Sequence, residues 1–192
     1  TRSIAVTGVQ TCALPISAEI ALFSAVQIGA LSATQIPALS TAQVDALTTG
    51  QIAALKPLQI TALETRDFVT LGSAEVASLS ALQVGALKPE QLAVLDASLL
   101  STTQVAGLTP ALIGSLSTAQ WDAITTAQLA ALKSTQIAAI ETRDFVVLSA
   151  AEVATLGSVQ IGALNASQVA ALTTAQFDAL TTEQLAALKA TQ

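Results

Sequence analysis

From Ile16 onward, apolar and polar positions return every eight residues. The stretch TTAQLAAL at 125–132 shows the unit: a polar residue at position 1, Gln at position 4, an apolar residue at position 5 and Leu at position 8. Ten octads run from 16–23 to 88–95, the five residues DASLL at 96–100 break the count, and eleven more octads run from Ser101 to Leu188. Across these 21 octads position 5 is always apolar, from Ile20 through Trp121 to Leu185. Position 8 is Leu except at Phe23, Ile124 and Ile140, and position 7 is mostly Ala. Position 4 is Gln in fifteen octads, Glu or Asp in five, and Leu112 once. A period this strict reports an architecture before it reports a reaction.

Each octad carries the marks of a helix start. Ser or Thr at position 1 can cap, and Gln or Glu three residues later closes a capping box. Pro57, Pro89 and Pro110 sit at position 2, the first helical residue, where a missing N–H costs nothing. Ala and Leu favour helix, and the two-residue alternation of strands is absent. One continuous helix is ruled out. Eight residues advance an α-helix by about 800°, so the stripe at positions 5 and 8 would drift roughly 80° per octad. Pro37 at position 6 would also break it. Helices of two octads keep their apolar positions on one face. However, the related blocks at 117 and 173 lie seven octads apart, an odd number that favours the single octad as the unit. The expected fold is an all-α solenoid of very short helices, one per octad, with a β-solenoid as the alternative.

No octad buries enough apolar surface to offset the cost of ordering its own eight residues, so neighbours must share one core. Positions 5 and 8 should line it, and small position 7 should allow close backbone approach. DASLL is expected to act as a shortened turn that sends Leu99 and Leu100 inward. A slower repeat lies over the octads. The 32 residues at 40–71 recur at 117–148, and a third copy begins at 173 with TTAQFDAL.

Composition narrows the function classes. Of 192 residues, 10% are charged and 3% aromatic, and the net charge of −6 repels a phosphate backbone, so no nucleic-acid partner is expected. Mean hydropathy is high at +0.65. Polar residues nevertheless return in every octad, and no run approaches the roughly 20 apolar residues of a membrane span. The first seventeen residues depart from the octad. VTGVQTCALPI at 6–16 looks like the translation of a short-read sequencing adapter, with TRS at 1–3 fitting the primer before it. Residues 1–17 are therefore expected to be a non-native segment, and 18–192 a single repeat solenoid with a register break at 96–100. The tract stops mid-repeat at KATQ, 189–192, and is expected to be a fragment cut at both ends. Cys12, the lone cysteine, falls in the excluded segment and carries no redox information.

Candidate sites are few. The motif ETRDF, at Glu64–Phe68 and Glu141–Phe145, could present Arg66 and Arg143 for recognition. More simply, Asp67 and Asp144 replace the capping Gln, Phe68 and Phe145 fill position 5, and Lys56 and Lys133 stand one octad before Glu64 and Glu141 for ion pairing. Asp45, Asp122 and Asp178 recur at position 6 as a sparse acidic line, too thin for calcium, which wants six to eight converging oxygens. Paired threonines at 48–49, 125–126, 173–174 and 181–182 suggest a hydroxyl row of the kind that meets ice or glycan. Trp121 occupies a core slot. With no His, and Cys only at position 12, the usual nucleophile–base and zinc sets cannot be assembled. No catalytic, cofactor-binding or metal residue is assigned, and no enzyme is expected.

From Ser24 to Gln192 the TTAQ-[VIL]-AAL units resemble the Ala/Leu/Thr/Gln-rich octapeptide tracts of very large bacterial surface or secreted proteins. Such proteins are often described as adhesin-like or haem-utilising, and the absence of His here gives haem ligation no support. The resemblance implies an extracellular or cell-surface location and a spacer or scaffold role. The alternative is an interaction module that binds protein, glycan or ice through a repeated face. Self-association stays open.

Overall fold

The structure, a computed structural model, describes residues 17–192. The segment at 1–16, and with it Cys12 and the adapter-like string, lies outside the described residues; Ser17 opens the first helix, Ser17–Ile20. Helices of four to six residues follow one another along the array, and no strand occurs among the described residues. The described residues form the expected all-α array of very short helices, one helical segment per octad.

The predicted caps explain these boundaries. In the octad 125–132, Thr125 is extended at φ −80° and ψ 156° and its side chain caps the Gln128 N–H. Gln128 Oε1 accepts in return from the Thr125 N–H at 2.7 Å. The helix Thr126–Ala130 then closes with a short final turn in which the Leu132 N–H donates to the Leu129 carbonyl. The chain next extends into Lys133, which starts the following unit. Where position 1 is Lys56, Lys88, Lys133 or Gly157, half of the box survives. No side-chain oxygen caps the helix, but the Gln still accepts from the position 1 N–H. Pro37 has the expected effect in milder form. Its unit keeps the Ser32–Gln35 box but makes only a 3-10 turn, Ile36–Ala38, because position 6 has no N–H to give.

Every closely packed pair of elements is three units apart, so three octads complete one turn of the coil. One side can be followed through the units 24–31, 48–55, 72–79, 96–100, 117–124, 141–148 and 165–172, each stacked on the last. A second side runs through 56–63, 80–87, 101–108 and 125–132, and a third begins at 16–23 and reaches 181–188. Positions 5 and 8 of successive turns interlock into one continuous core, with Trp121, Phe68 and Phe145 its largest fully buried side chains. Sequence-adjacent octads therefore lie on different sides, and the packing neighbour of a residue is about 24 residues away.

The five residues at 96–100 take the place of a whole unit in this stack. They form a 3-10 turn, Ala97–Leu99, packed between the helices Ser73–Ser78 and Thr118–Ala123. Leu100 enters the core as expected, but Leu99 does not: it is 37% exposed, and Ala97 at 1% fills the slot instead. The physical reason is register. DASLL lacks positions 1–3 of an octad, so Ala97 stands at position 5 and Leu100 at position 8.

Turns also approach closely at positions 6 and 7. Gly85 and Gly107 face one another across two stacked units, and a Cβ on Gly85 would overlap the Gly107 carbonyl oxygen. A Cβ on Gly107 would stand 2.6 Å from the Ala81 oxygen and 2.8 Å from its Cβ. At these points only glycine fits.

Candidate functional site

The most heavily used polar residue is the position 4 Gln, and its role is double. While Oε1 closes the capping box, Nε2 reaches to the turn below. Gln136 Nε2 donates to the carbonyls of Val105 at 2.9 Å and Leu108 at 2.7 Å, 31 and 28 residues earlier. Gln168 does the same with Ile137 and Ile140, and Gln51 with Ile20 and Phe23. The acceptors are positions 5 and 8 of the unit four back, which ends at the corner on which the new unit begins. Both ends of the amide are satisfied, so it can be buried; Gln136 is 1% exposed. Past the short unit the spacing shrinks by three, and Gln104 bonds Val76 and Leu79 at 28 and 25 residues. Gln128 meets Ala97 and Leu100 at the ordinary 31 and 28, so DASLL presents the same two carbonyls as an octad.

Carboxylates at position 4 cannot donate, and they behave differently. Glu152 closes its box with the Ser149 N–H at 2.7 Å, and it and Glu75 remain half-buried instead of entering the corner. The shorter Asp67 and Asp144 are buried, at 2% and 0% exposure, because a threonine one turn below donates to them. Thr41 Oγ1 meets Asp67 Oδ1 at 3.0 Å, and Thr118 Oγ1 meets Asp144 Oδ1 at 2.6 Å. Asp67 Oδ2 accepts from the Glu64 N–H at 3.0 Å, as a replacement for Gln should. Asp144 Oδ2 has no hydrogen bond; the Trp121 Nε1 on the unit beneath is likewise buried and unpartnered.

The charged part of ETRDF is self-contained. Arg66 Nε lies 2.7 Å from Glu64 and 3.9 Å from Asp67, and Arg143 Nε lies 3.0 Å from Glu141 and 3.5 Å from Asp144. Each guanidinium is exposed but already faces two carboxylates of its own motif. The expected pairs of Lys56 with Glu64 and Lys133 with Glu141 are not among the ion pairs of the described residues. Consecutive octads occupy different sides of the coil, so the lysine's unit does not stack on the glutamate's. The two motifs do not align either: 141–148 belongs to the first side and 64–71 to the third.

The same three-unit turn dissolves the other rows. The octads of Asp45, Asp122 and Asp178 begin at 40, 117 and 173 and fall on three different sides, so no acidic line forms. The paired threonines are spread likewise, on the first side at 48, the second at 125 and 173, and the third at 181. Their leading members are helix caps: the side chains of Thr48, Thr125, Thr173 and Thr181 accept from the Gln N–H groups. Thr49, Thr126 and Thr174 are exposed, but not as one row. Among the described residues no three acidic, His or Cys side chains gather as a metal would need, and no helix is long and apolar enough to cross a membrane. Sequence reasoning had passed over a shallow apolar groove on the second side. There the exposed Leu82 flanks a floor of Gly85, Ala106 and Gly107. The signal was a Leu at position 3, usually a small or polar position.

Comparison with known families adds one finding. The sequence model of the ALTTAQ repeat matches residues 20–57, 60–97 and 137–174, more than half of the chain. The string ALTTAQ itself stands at 171–176. It spans positions 7 and 8 of one unit and 1 to 4 of the next, which is the corner where a cap and an inter-turn Gln coincide. No curated protein matches the chain.

Proposed function

Because this chain belongs to the ALTTAQ repeat family, we propose that its repeat module serves as a spacer or scaffold in a large bacterial surface or secreted protein. In this reading it holds other parts of that protein at a set distance and performs no catalysis. The observation that carries the reading is the Gln ladder. From Gln51 to Gln184 the corner amides tie successive turns through main-chain carbonyls, which any sequence supplies, so length can grow without altering the joint. The position 6 aspartates and the paired threonines are spread over different sides of the coil and fall into no common row. Extracellular location fits octads that carry no cysteine.

Small-angle scattering on arrays extended by 24 residues, one full turn, tests the spacer role. A constant increment of length per added turn with undiminished melting temperature is expected; a particle that folds back or thickens instead would contradict it. The binding alternative draws on the exposed Thr49, Thr126 and Thr174. Replacing all three by valine should leave ice recrystallisation and glycan-array signals where they were, and a loss of either signal with unchanged melting would favour that alternative.

A further inference from the structure

The groove on the second side serves neither the capping boxes nor the Gln ladder, and it lies in the middle of the array. Pro57 stands at its lower end, Leu82 forms one wall, and Gly85, Ala106 and Gly107 make its floor. The floor is smooth because stacked turns approach too closely there for a larger side chain. Leu82 is 79% exposed, and Leu58, at the same position 3 one turn below, is 75% exposed. Large apolar side chains left in water beside a concave apolar surface mark a binding surface. The groove climbs from the unit 56–63 to Lys133, three turn spacings, or roughly 25 Å at the 8–10 Å between packed helices. The polar side chains of its lining are Thr103, Thr109 and Lys133, all toward the upper end. Lys133 enters no ion pair among the described residues. Thr109 caps its helix by accepting from the Leu112 N–H at 3.2 Å. Leu112 is the one position 4 residue that is neither amide nor acid, so the Thr109 hydroxyl has no side-chain oxygen there to donate to. Thr125, by contrast, donates to Gln128 Oε1 at 2.9 Å. An ammonium and an unspent hydroxyl donor thus stand one turn apart at the head of an apolar trough.

We propose that this groove binds a free long-chain fatty acid, its carboxylate on Lys133 and Thr109 and its hydrocarbon tail laid over Gly107 and Gly85 toward Pro57. The site is independent of the spacer role. Charge complementarity is local: in a chain of net charge −6, the groove presents a cation at its head and no acidic side chain along its lining. A polypeptide fits less well. It carries an N–H and a carbonyl at every residue, and between Pro57 and Ala86 the lining has no side-chain donor or acceptor to meet them. A hydrocarbon tail needs none. One acyl chain spans about half of the ~30 Å core of a bilayer, about 15 Å, and so lies within the length of the groove.

Calorimetric titration of the 192-residue chain with dodecanoate, kept below its micelle concentration, tests the proposal. Saturable one-to-one binding is expected, and dodecyltrimethylammonium, with the same tail and the opposite charge, should not bind. Lys133→Glu should weaken dodecanoate by about tenfold or more, the worth of a charge-assisted contact. Leu82→Ser takes away part of the wall and should weaken it by roughly fivefold. Both side chains are exposed, so helical circular dichroism should not change. Should the acid at 133 disturb the fold, Lys133→Ser, which makes that position an ordinary cap, should weaken binding likewise. Absence of saturable binding would overturn the proposal, as would equal binding of the cationic amphiphile or an affinity unmoved by either substitution. Co-sedimentation of the chain with neutral phosphatidylcholine vesicles would give the surface to a bilayer instead. Displacement of dodecanoate by an equimolar acetylated peptide of alternating leucine and aspartate would give it to a polypeptide; either result contradicts the fatty-acid site.

Discussion

Thr118 and Asp144, 26 residues apart, meet across adjacent turns, with Thr118 Oγ1 donating to the buried Asp144 Oδ1 at 2.6 Å. Thr41 and Asp67 do the same at 3.0 Å. The recurrence of 40–71 at 117–148 thus carries both members of a tertiary pair, and its length is one full turn plus one octad. Removing the threonine donor leaves a buried carboxylate oxygen without a hydrogen bond. Thr118→Val should therefore cost about 1–3 kcal/mol, read from the urea midpoint, while Thr126→Val, at an exposed position 2, should change it little.

Glycine substitutions separate close approach from helix propensity. Gly50 lies within the helix Thr49–Ala53 with open space where a Cβ would go. Gly50→Ala should stabilise by about 0.5–1 kcal/mol. Gly85→Ala and Gly107→Ala drive a methyl into backbone of the neighbouring turn and should instead destabilise by about 1–3 kcal/mol. Thermal denaturation of the three variants gives the signs directly.

Which residues a unit loses matters more than how many. DASLL shows that positions 1–3 can be absent while positions 5 and 8 still fill the core and offer their carbonyls. Deleting Thr125–Ala127 leaves QLAAL, a unit of the same kind, and should cost about 1–2 kcal/mol, the worth of a lost cap. Deleting Ala130–Leu132 removes the same number of residues but takes Leu132 from the core. That should cost about 2–5 kcal/mol by chemical denaturation.

Acid should act on the short unit. The Ser98 hydroxyl, and then its backbone N–H, donate to Asp96 and hold its carboxyl below the ordinary value of 3.8. A carboxylate whose folded-state pKa is lowered contributes stability above its unfolded pKa and loses it as pH falls through the folded one. Ser98→Ala should therefore be less stable than the parent at neutral pH, and the gap should close below about pH 4. Paired urea titrations at the two pH values check the direction; a gap that widens in acid would refute it.

Most of the local structure was legible because its causes are local. A cap at position 1 and its partner at position 4 are three residues apart, and Pro57, Pro89 and Pro110 mark the same boundary. The apolar constancy of positions 5 and 8 pointed to the core, and Trp121 and both phenylalanines of ETRDF lie in it. What stayed hidden depended on the number of octads per turn, which the octad period does not encode. Without it, Thr41 could not be matched to Asp67, the lysine–glutamate pairs one octad apart seemed sensible, and the threonines seemed to form a row. One clue to the tertiary role was nonetheless present. A capping box needs only an acceptor at position 4, and Glu would serve, yet fifteen octads use Gln. A preference for the amide over the acid implies that its N–H₂ has work elsewhere.

That second bond is the central claim, and one comparison isolates it. Gln128→Glu preserves the capping box and replaces the group that donates to Ala97 and Leu100 with an acceptor. Gln27→Glu makes the same chemical change at an exposed position whose amide donates to no carbonyl among the described residues. Urea denaturation at neutral pH, at concentrations where the chain is monomeric, should show Gln27→Glu within about 0.5 kcal/mol of the parent. Gln128→Glu should lose about 2–3 kcal/mol. Equal losses at the two positions would mean that the Gln is a helix cap alone, and that the inter-turn ladder does not hold the array together.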